Sequence, residues 1–407
     1  VNPAADRDPR AAERLVLRAG EALHAVGMPA HRLEAALGEL AATLDLRAQF
    51  FSTPTALFAS FADQSAGRTC LLRVEPGDAA LEKLTRLERI LERVRQGKLE
   101  PHGAARAVAA IAAAPLRFGQ RALALSNAAI AAPSALLLGG GWRELSLAAM
   151  IGLAVGALSG LGASWPALAR VLYPMAGAAA ALIAGWAAAH SQPLVPGIAT
   201  LAGLIALVPG LTLTRAVAEL AARHLVSGAA RLAGALLVFL TLGFGVALGT
   251  TVATALFGPA AASAPVALAT WLIWQGLLLA VLALVVQFQA HPQQAGWILI
   301  AGVVAVFGLR LGGAALGPEL GAFAGALAVG LAGNAAARWR RLPASLLQMP
   351  GLILLVPGSI GFESVRALVA HDTLSGIQAA FSVGMVSISL VTGLLVANVL
   401  LPSRRPV

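Results

Sequence analysis

Apolar and polar positions divide this chain into two parts. In the first, apolar residues recur at helical or alternating spacing; in the second they run almost unbroken. Leu33, Leu37, Leu40 and Leu44 lie three and four apart, with Arg32, Glu34 and Glu39 off that stripe. This predicts an amphipathic helix over Ala30–Leu44. Ala11–Ala25 reads the same way, and Gly27-Met28-Pro29 separates the two. Gln49–Thr53, Ala56–Ala62 and Thr69–Val74 read as strands, the last two joined by a hairpin loop at Asp63–Gly67. Leu81–Arg95 and Pro101–Ala113 read as two more helices. Residues 1–118 are therefore expected to form a small soluble α+β domain.

Beyond that point the apolar runs lengthen. A membrane span needs about 20 mainly apolar residues. Gln120–Leu138, Glu144–Ala163, Val171–His190, Ala229–Leu256 and the shorter Leu194–Pro209 are candidates. Leu207-Val208-Pro209-Gly210 then recurs as Leu355-Val356-Pro357-Gly358, and the match continues without a gap to Ser227-Gly228 and Ser375-Gly376. Carrying the offset through the chain adds Leu268–Val286, Pro292–Gly308, Glu319–Arg338, Leu342–Pro357 and Ile377–Leu401, all apolar. Five spans is an odd number, so a second copy must run opposite to the first. The expected fold is an all-α polytopic membrane protein. Its ten transmembrane helices form two inverted five-helix repeats, residues 119–257 and 264–402, behind the small soluble α+β domain. Gly152, Gly156 and Gly160, and likewise Gly313, Gly317, Gly321 and Gly325, are four apart. That spacing is expected to put each set on one helix face for close packing in lipid.

Composition agrees. The 407 residues are 58% hydrophobic with mean hydropathy +0.80 and only 12% charged, against about 25% in soluble domains. Of 19 acidic residues, 14 precede position 119. The net charge of +10 does not indicate nucleic acid, because 16 Lys/Arg nearly balance those 14 acids and the excess lies between spans. There it reports orientation. With the N-terminal domain in the cytoplasm, inner loops and tail carry Arg170, Arg215, Arg223, Arg231, Arg338, Arg340, Arg341, Arg404 and Arg405. Outer loops carry Arg143, Arg310 and Arg366. The first 30 residues hold no apolar run of signal-peptide type. Cys70 is the single cysteine, which excludes a disulfide within the chain.

Irregular backbone in a bilayer survives where it is buried in protein or lines a cavity. Pro209-Gly210 and Pro357-Gly358 end short apolar runs and are the expected substrate site, since a helix N-terminus favours a carboxylate. Thr212, Thr214 and Ser359 follow these breaks and suit a hydroxyl or carboxylate. Of the polar residues inside apolar runs (Asn127, Gln275, Gln287, Asn334, Gln348 and Asn398), Asn127 and Asn334 are the deepest and join the substrate-binding candidates. Interhelical hydrogen bonding is the competing role. No nucleotide-binding motif occurs, so proton coupling is expected, with Glu363, His371, Glu219, His224 and Asp372 as candidates. His31 and Glu34 form a conceivable catalytic pair, although a solvated helix face is the reading this helix favours. No metal ligand set, cofactor motif or catalytic constellation is recognised.

His31-Arg32-Leu33-Glu34, Phe51-Ser52-Thr53-Pro54-Thr55-Ala56, Leu207-Val208-Pro209-Gly210-Leu211-Thr212-Leu213-Thr214 with Leu225-Val226-Ser227-Gly228, and Val356-Pro357-Gly358-Ser359-Ile360-Gly361-Phe362 stand in order along the chain. Together they resemble the threonine/serine exporter family of bacterial inner membranes. The resemblance implies ten spans, a cytoplasmic N-terminal domain and C-terminus, and efflux of small hydroxy amino acids driven by the proton motive force. Relatives that split the halves into two chains are linked to succinate export, so a dicarboxylate is the alternative substrate. A membrane-anchored enzyme with a catalytic N-terminal domain is the alternative of another class. The implied partners are a small-molecule substrate and the lipid bilayer, and assembly into a homo-oligomer is compatible with both.

Overall fold

The computed structural model describes residues 9–62, 67–75, 77, 79–261, 263–266, 268–340 and 342–402. Residues 63–66 of the expected hairpin loop, and Arg341, Arg404 and Arg405, lie outside them.

The N-terminal part is α+β, close to the expected boundaries. Helices α1 (Pro9–Ala25) and α2 (Ala30–Thr43) precede strands β1 (Ala48–Thr53), β2 (Ala56–Phe61) and β3 (Arg68–Arg73), then α3 (Leu81–Arg95) and α4 (Pro101–Ala113). The strands form an antiparallel sheet in order β1-β2-β3. Leu15, Leu23, Leu33, Leu37, Leu40 and Leu57 are fully buried between α1, α2 and the sheet. The leucine stripe of α2 thus does what its spacing requires.

The rest is helical: α5 (Gln120–Leu137), α6 (Trp142–Ser164), α7 (Pro166–Arg170), α8 (Leu172–His190), α9 (Pro196–Leu204), α10 (Gly210–Ala221) and α11 (Leu225–Phe257). There follow α12 (Thr270–Gln287), α13 (Ala295–Leu316), α14 (Pro318–Arg340), α15 (Ser345–Ile353), α16 (Gly358–Val369) and α17 (Thr373–Leu400). Among the described residues 7 helices are long and apolar enough to cross a membrane, or up to 8 if the bent pair α9–α10 is one span. The protein is a multi-pass membrane protein. The count falls below ten for local reasons. Helix α5 carries Gln120, Arg121 and Asn127, Trp271–Gln287 of α12 is shorter than a full span, and α9–α10 is a bent pair.

The N-terminal α+β part is not a separate body on a tether. One hydrophobic cluster runs from Leu37 and Leu84 through Leu284, Phe288 and Ile298 to Leu346 and Met349. The Leu81 amide donates to the Phe288 carbonyl at 2.8 Å, and Gln289 brackets Phe118, accepting from its amide at 2.8 Å and donating to its carbonyl at 3.1 Å. These bonds place the α12 end and the α5 start beside the soluble part. Exposed tryptophans then fall at two levels. Trp165 and Trp339 lie at helix ends near the soluble part, and Trp142, Trp186 and Trp271 at the far ends, the arrangement of interfacial aromatic belts.

Gly152 and Gly156 do pack α6 against α5: a Cβ on either would sit within 3.0 Å of Ala124, Asn127 or Ala131 atoms. The second glycine set needs correction. Gly317 has φ +92 and caps α13 at its C-terminus, so the four residues straddle a turn instead of lining one helix. Gly321 instead meets Gly313 across the hairpin, where a Cβ would lie 2.8 Å from the Gly313 nitrogen.

Truncating Leu37 to Ala is expected to cost about 2–5 kcal/mol, read as a lower urea midpoint for the soluble part. An unchanged midpoint would show that the α2 stripe is not its core.

Candidate functional site

Two places in the fold gather the predicted residues. The first is the pair of breaks. Apolar α9 tightens into a 3-10 turn at Ile205–Leu207 and stops at Pro209, whose ring leaves no amide to continue the ladder. The chain bends by 54° into α10. Pro357 likewise separates α15 from α16, but without so large a bend: Ser345–Val369 counts as one span. The two prolines share one conformation, φ −81 and ψ 41 at Pro209 and φ −79 and ψ 42 at Pro357. Gly210 donates to the Val208 carbonyl at 2.8 Å, Gly358 to that of Val356 at 2.9 Å. After each amphipathic helix comes a left-handed residue, Arg223 and His371, both at φ 64.

The breaks also touch. A Cβ on Gly210 would lie 3.2 Å from Gly358 Cα and against the Val356 side chain; one on Gly358 would lie 2.9 Å from Val208 Cγ1. A Cβ at either position would have to displace a valine side chain of the other break. Helices α10 and α16 therefore start at a common point. The packing is reciprocal: α10 lies on α17, and α16 on α11, where Gly361 meets Phe239 and Gly243 meets Val365. Amides of the first turns, at Leu211, Thr212, Ser359 and Ile360, have no carbonyl of their own helix to bond. Two positive helix ends thus face one spot. Thr212 and Ser359 are half-buried there. Thr214 is buried and its hydroxyl donates back to the Gly210 carbonyl at 3.2 Å.

Asn127 and Asn334 lie elsewhere, in interhelical bonds. Gln287 donates to Asn127 Oδ1 at 2.6 Å. Asn334 donates to Asn398 Oδ1 at 2.8 Å and accepts from Gln348 at 3.2 Å.

The second place is the seam between α2 and the α10–α11 corner. Pro29 precedes α2 and provides no side-chain cap. The cap comes from Glu219, whose Oε1 accepts from the Ala30 amide at 3.0 Å. Glu219 is fully buried and also accepts from the Ser227 hydroxyl at 2.7 Å and from Arg231 Nε at 3.1 Å. His224 lies 3.5 Å from Glu34 Oε1 and 6.1 Å, ring to ring, from His31. Glu34 in turn accepts from the Ser52 amide at 2.7 Å. Arg32 donates to Gln348 Oε1 at 2.8 Å, and so reaches the helix that precedes the second break. The expected solvated face of α2 is thus a half-buried polar contact, because charged side chains off the leucine stripe find partners on other elements. Of the five proton-coupling candidates, Glu219 and His224 meet here. Glu363, His371 and Asp372 lie on or after α16: Glu363 bonds Arg366 at 2.7 Å, Asp372 caps α17 by accepting from Ser375, and His371 is exposed. Burial, then the Arg32 and His224 charges, hold His31 down to about 4, with Glu219 opposing. Burial raises Glu34 against the Ser52 amide and His224.

The profile of the family described as "Putative threonine/serine exporter" matches residues 14–253, and that described as "Threonine/Serine exporter, ThrE" matches 276–400. The chain belongs to the threonine/serine exporter family. Among curated relatives, this exporter-family chain is 25% identical over 407 residues to pheromone-regulated membrane protein 10 of Saccharomyces cerevisiae, covering 94% of the chain and 52% of that protein. It is 26% identical over 370 residues to the Candida albicans protein of the same name, covering 86% and 33%. A Schizosaccharomyces pombe protein without an assigned role is 25% identical over 381 residues, covering 88% and 44%. The chain spans about half or less of the length of these relatives. No solved structure matches it.

Glu219→Ala leaves Arg231 buried without its anion and is expected to cost about 3–5 kcal/mol, read as a lower melting temperature. Glu219→Ala with Arg231→Met should recover part of that loss; equal losses in single and double variants would show that the pair does not couple.

A neutral His31 contributes stability in full above its unfolded pKa of about 6.5. That contribution is lost as pH falls toward about 4. Glu34 acts in the opposite sense. Melting should therefore drop more steeply with acid in the wild type than in His31→Gln; parallel curves would contradict it.

Proposed function

We propose that this chain is a secondary transporter that exports small hydroxy amino acids, threonine and serine, by alternating access around the paired breaks. In this reading α5–α11 and α12–α17 are two five-span repeats of opposite orientation behind a soluble domain of residues 1–118. Pairs α9–α10 and α15–α16 each count as one broken span, giving ten. The reading is supported by backbone geometry that recurs in register at Pro209 and Pro357 and again at Arg223 and His371.

One observation carries the site assignment: the Gly210–Gly358 approach. It brings two helix N-termini together within apolar helices, where a substrate carboxylate gains most from unpaired amides and aligned dipoles. Pro209, Gly210, Pro357 and Gly358 shape the site. Thr212 and Ser359 offer hydroxyls to the substrate, and Thr214 supports the first turn of α10. Asn127 and Asn334 support the helices around it.

By sequence, nine arginines fall in inner loops and tail against three in outer loops, which supports a cytoplasmic N-terminal domain and C-terminus in a bacterial inner membrane. Proton drive, in this reading, acts at the seam. The Glu219 carboxylate joins both α2, through the Ala30 amide, and α11, through Arg231, to α10, so it and His224 are the coupling candidates. A dicarboxylate is the second reading, favoured by the same pair of positive helix ends, which suits two carboxylates as well as one.

The test is efflux of labelled threonine from proteoliposomes with an imposed pH gradient. Saturable efflux well above that of empty vesicles is expected, competed by serine. Competition by succinate alone would transfer the assignment to dicarboxylates, and flux equal to empty vesicles would end it. Replacing Pro209-Gly210 or Pro357-Gly358 by Ala-Ala should abolish efflux without loss of membrane insertion.

A further inference from the structure

The outer face of the three-stranded sheet has a graded polarity that the transport site does not explain. Strand register places three side chains across the sheet in each row. Phe51, Phe58 and Leu71 form the middle row. They are 47%, 36% and 63% exposed, and the Phe51 and Phe58 rings lie 6.0 Å apart. The next row toward the β1–β2 turn is Thr53, Ala56 and Arg73; the row away from it is Gln49, Ser60 and Thr69. The opposite face, with Leu57, Ala59 and Phe61, is buried on the core. An apolar row across one solvent-side sheet face normally marks a contact surface.

Its position names the occupant. Strand β1 runs toward the bundle: the Ser52 amide bonds Glu34, which touches His224, the residue before α11. β1 packs against α11 itself. Leu225 and Val226 open that membrane-crossing helix and are 63% and 57% exposed. The turn end of the sheet thus abuts the start of α11, and the apolar row lies one row beyond Thr53, Ala56 and Arg73. Polar Gln49, Ser60 and Thr69 lie on the side away from the bundle, and exposed Arg73 and Arg223 lie near the turn and the α11 start.

We propose that this sheet face rests on the membrane. Phe51, Phe58 and Leu71 enter the boundary between headgroups and acyl chains, and Arg73 and Arg223 meet phosphates of anionic lipid. The soluble domain is then held at both ends, by the α2 seam and by lipid under β1–β3. The claim depends on α11 crossing the bilayer, and on neither the substrate nor its coupling.

The test uses the full chain. In a Cys70→Ser background, Phe58→Cys and, separately, Ser60→Cys carry a nitroxide in liposomes of zwitterionic and anionic phospholipid. Collisions with oxygen, which partitions into lipid, are compared with collisions with a water-soluble nickel chelate. At position 58 oxygen should dominate; at position 60, on the same face but one row farther out, the nickel chelate should. Phe51→Cys reads the same row if the Phe58 variant does not reconstitute. Water-like ratios at both rows would overturn the proposal. So would dipolar broadening between labels at position 58, which would assign the row to a second copy of the chain.

Discussion

Backbone groups released from a helix inside an apolar bundle must be covered, and here each break covers the other. Pro209 and Pro357 interrupt two helical ladders. Gly210 and Gly358 then let the two interruptions come together closely enough that a single Cβ would separate them. The reciprocal seating of α10 on α17 and α16 on α11 follows from that meeting point. A lone break in lipid would leave amides and carbonyls unpaired at several kcal/mol each; here Val208 and Val356 pack across the point where the two meet.

The second constraint is the seam. Helix α2 begins after a proline that cannot cap it, so its first turn depends on a carboxylate from α10. That carboxylate is buried and is shared with Arg231 and Ser227. One anion thus links three elements, and any change in its charge is felt by all of them. Arg32 extends the link through Gln348 to Asn334 and Asn398, so the soluble part is joined to both broken helices.

Most elements were legible because their patterns are local. The leucine stripe of α2, the alternation in the strands and the apolar runs of α6, α8, α11 and α17 each sit within a window of the chain. The breaks were legible because Pro-Gly stops a helix wherever it falls. The seam was not: Ala30 and Glu219 are 189 positions apart, and nothing in the spacing of Arg32 or Glu34 distinguishes a partner from water. Gly317 misled because four-residue spacing is the same along a helix and across a hairpin. Asn127 and Asn334 were rightly read as deep, but depth does not say whether a side chain bonds a neighbour helix or a ligand; here it is the neighbour.

The interlocking of α10 with α17 and α16 with α11 has a consequence for how such a chain can be divided. After Phe257 the polypeptide leaves its helix at Gly258 and, among the described residues, no helix begins until Thr270, so a cut there severs no helix. Yet neither product could shield its own kink. Two fragments would have to be made together and find one another in the bilayer, as an obligate pair.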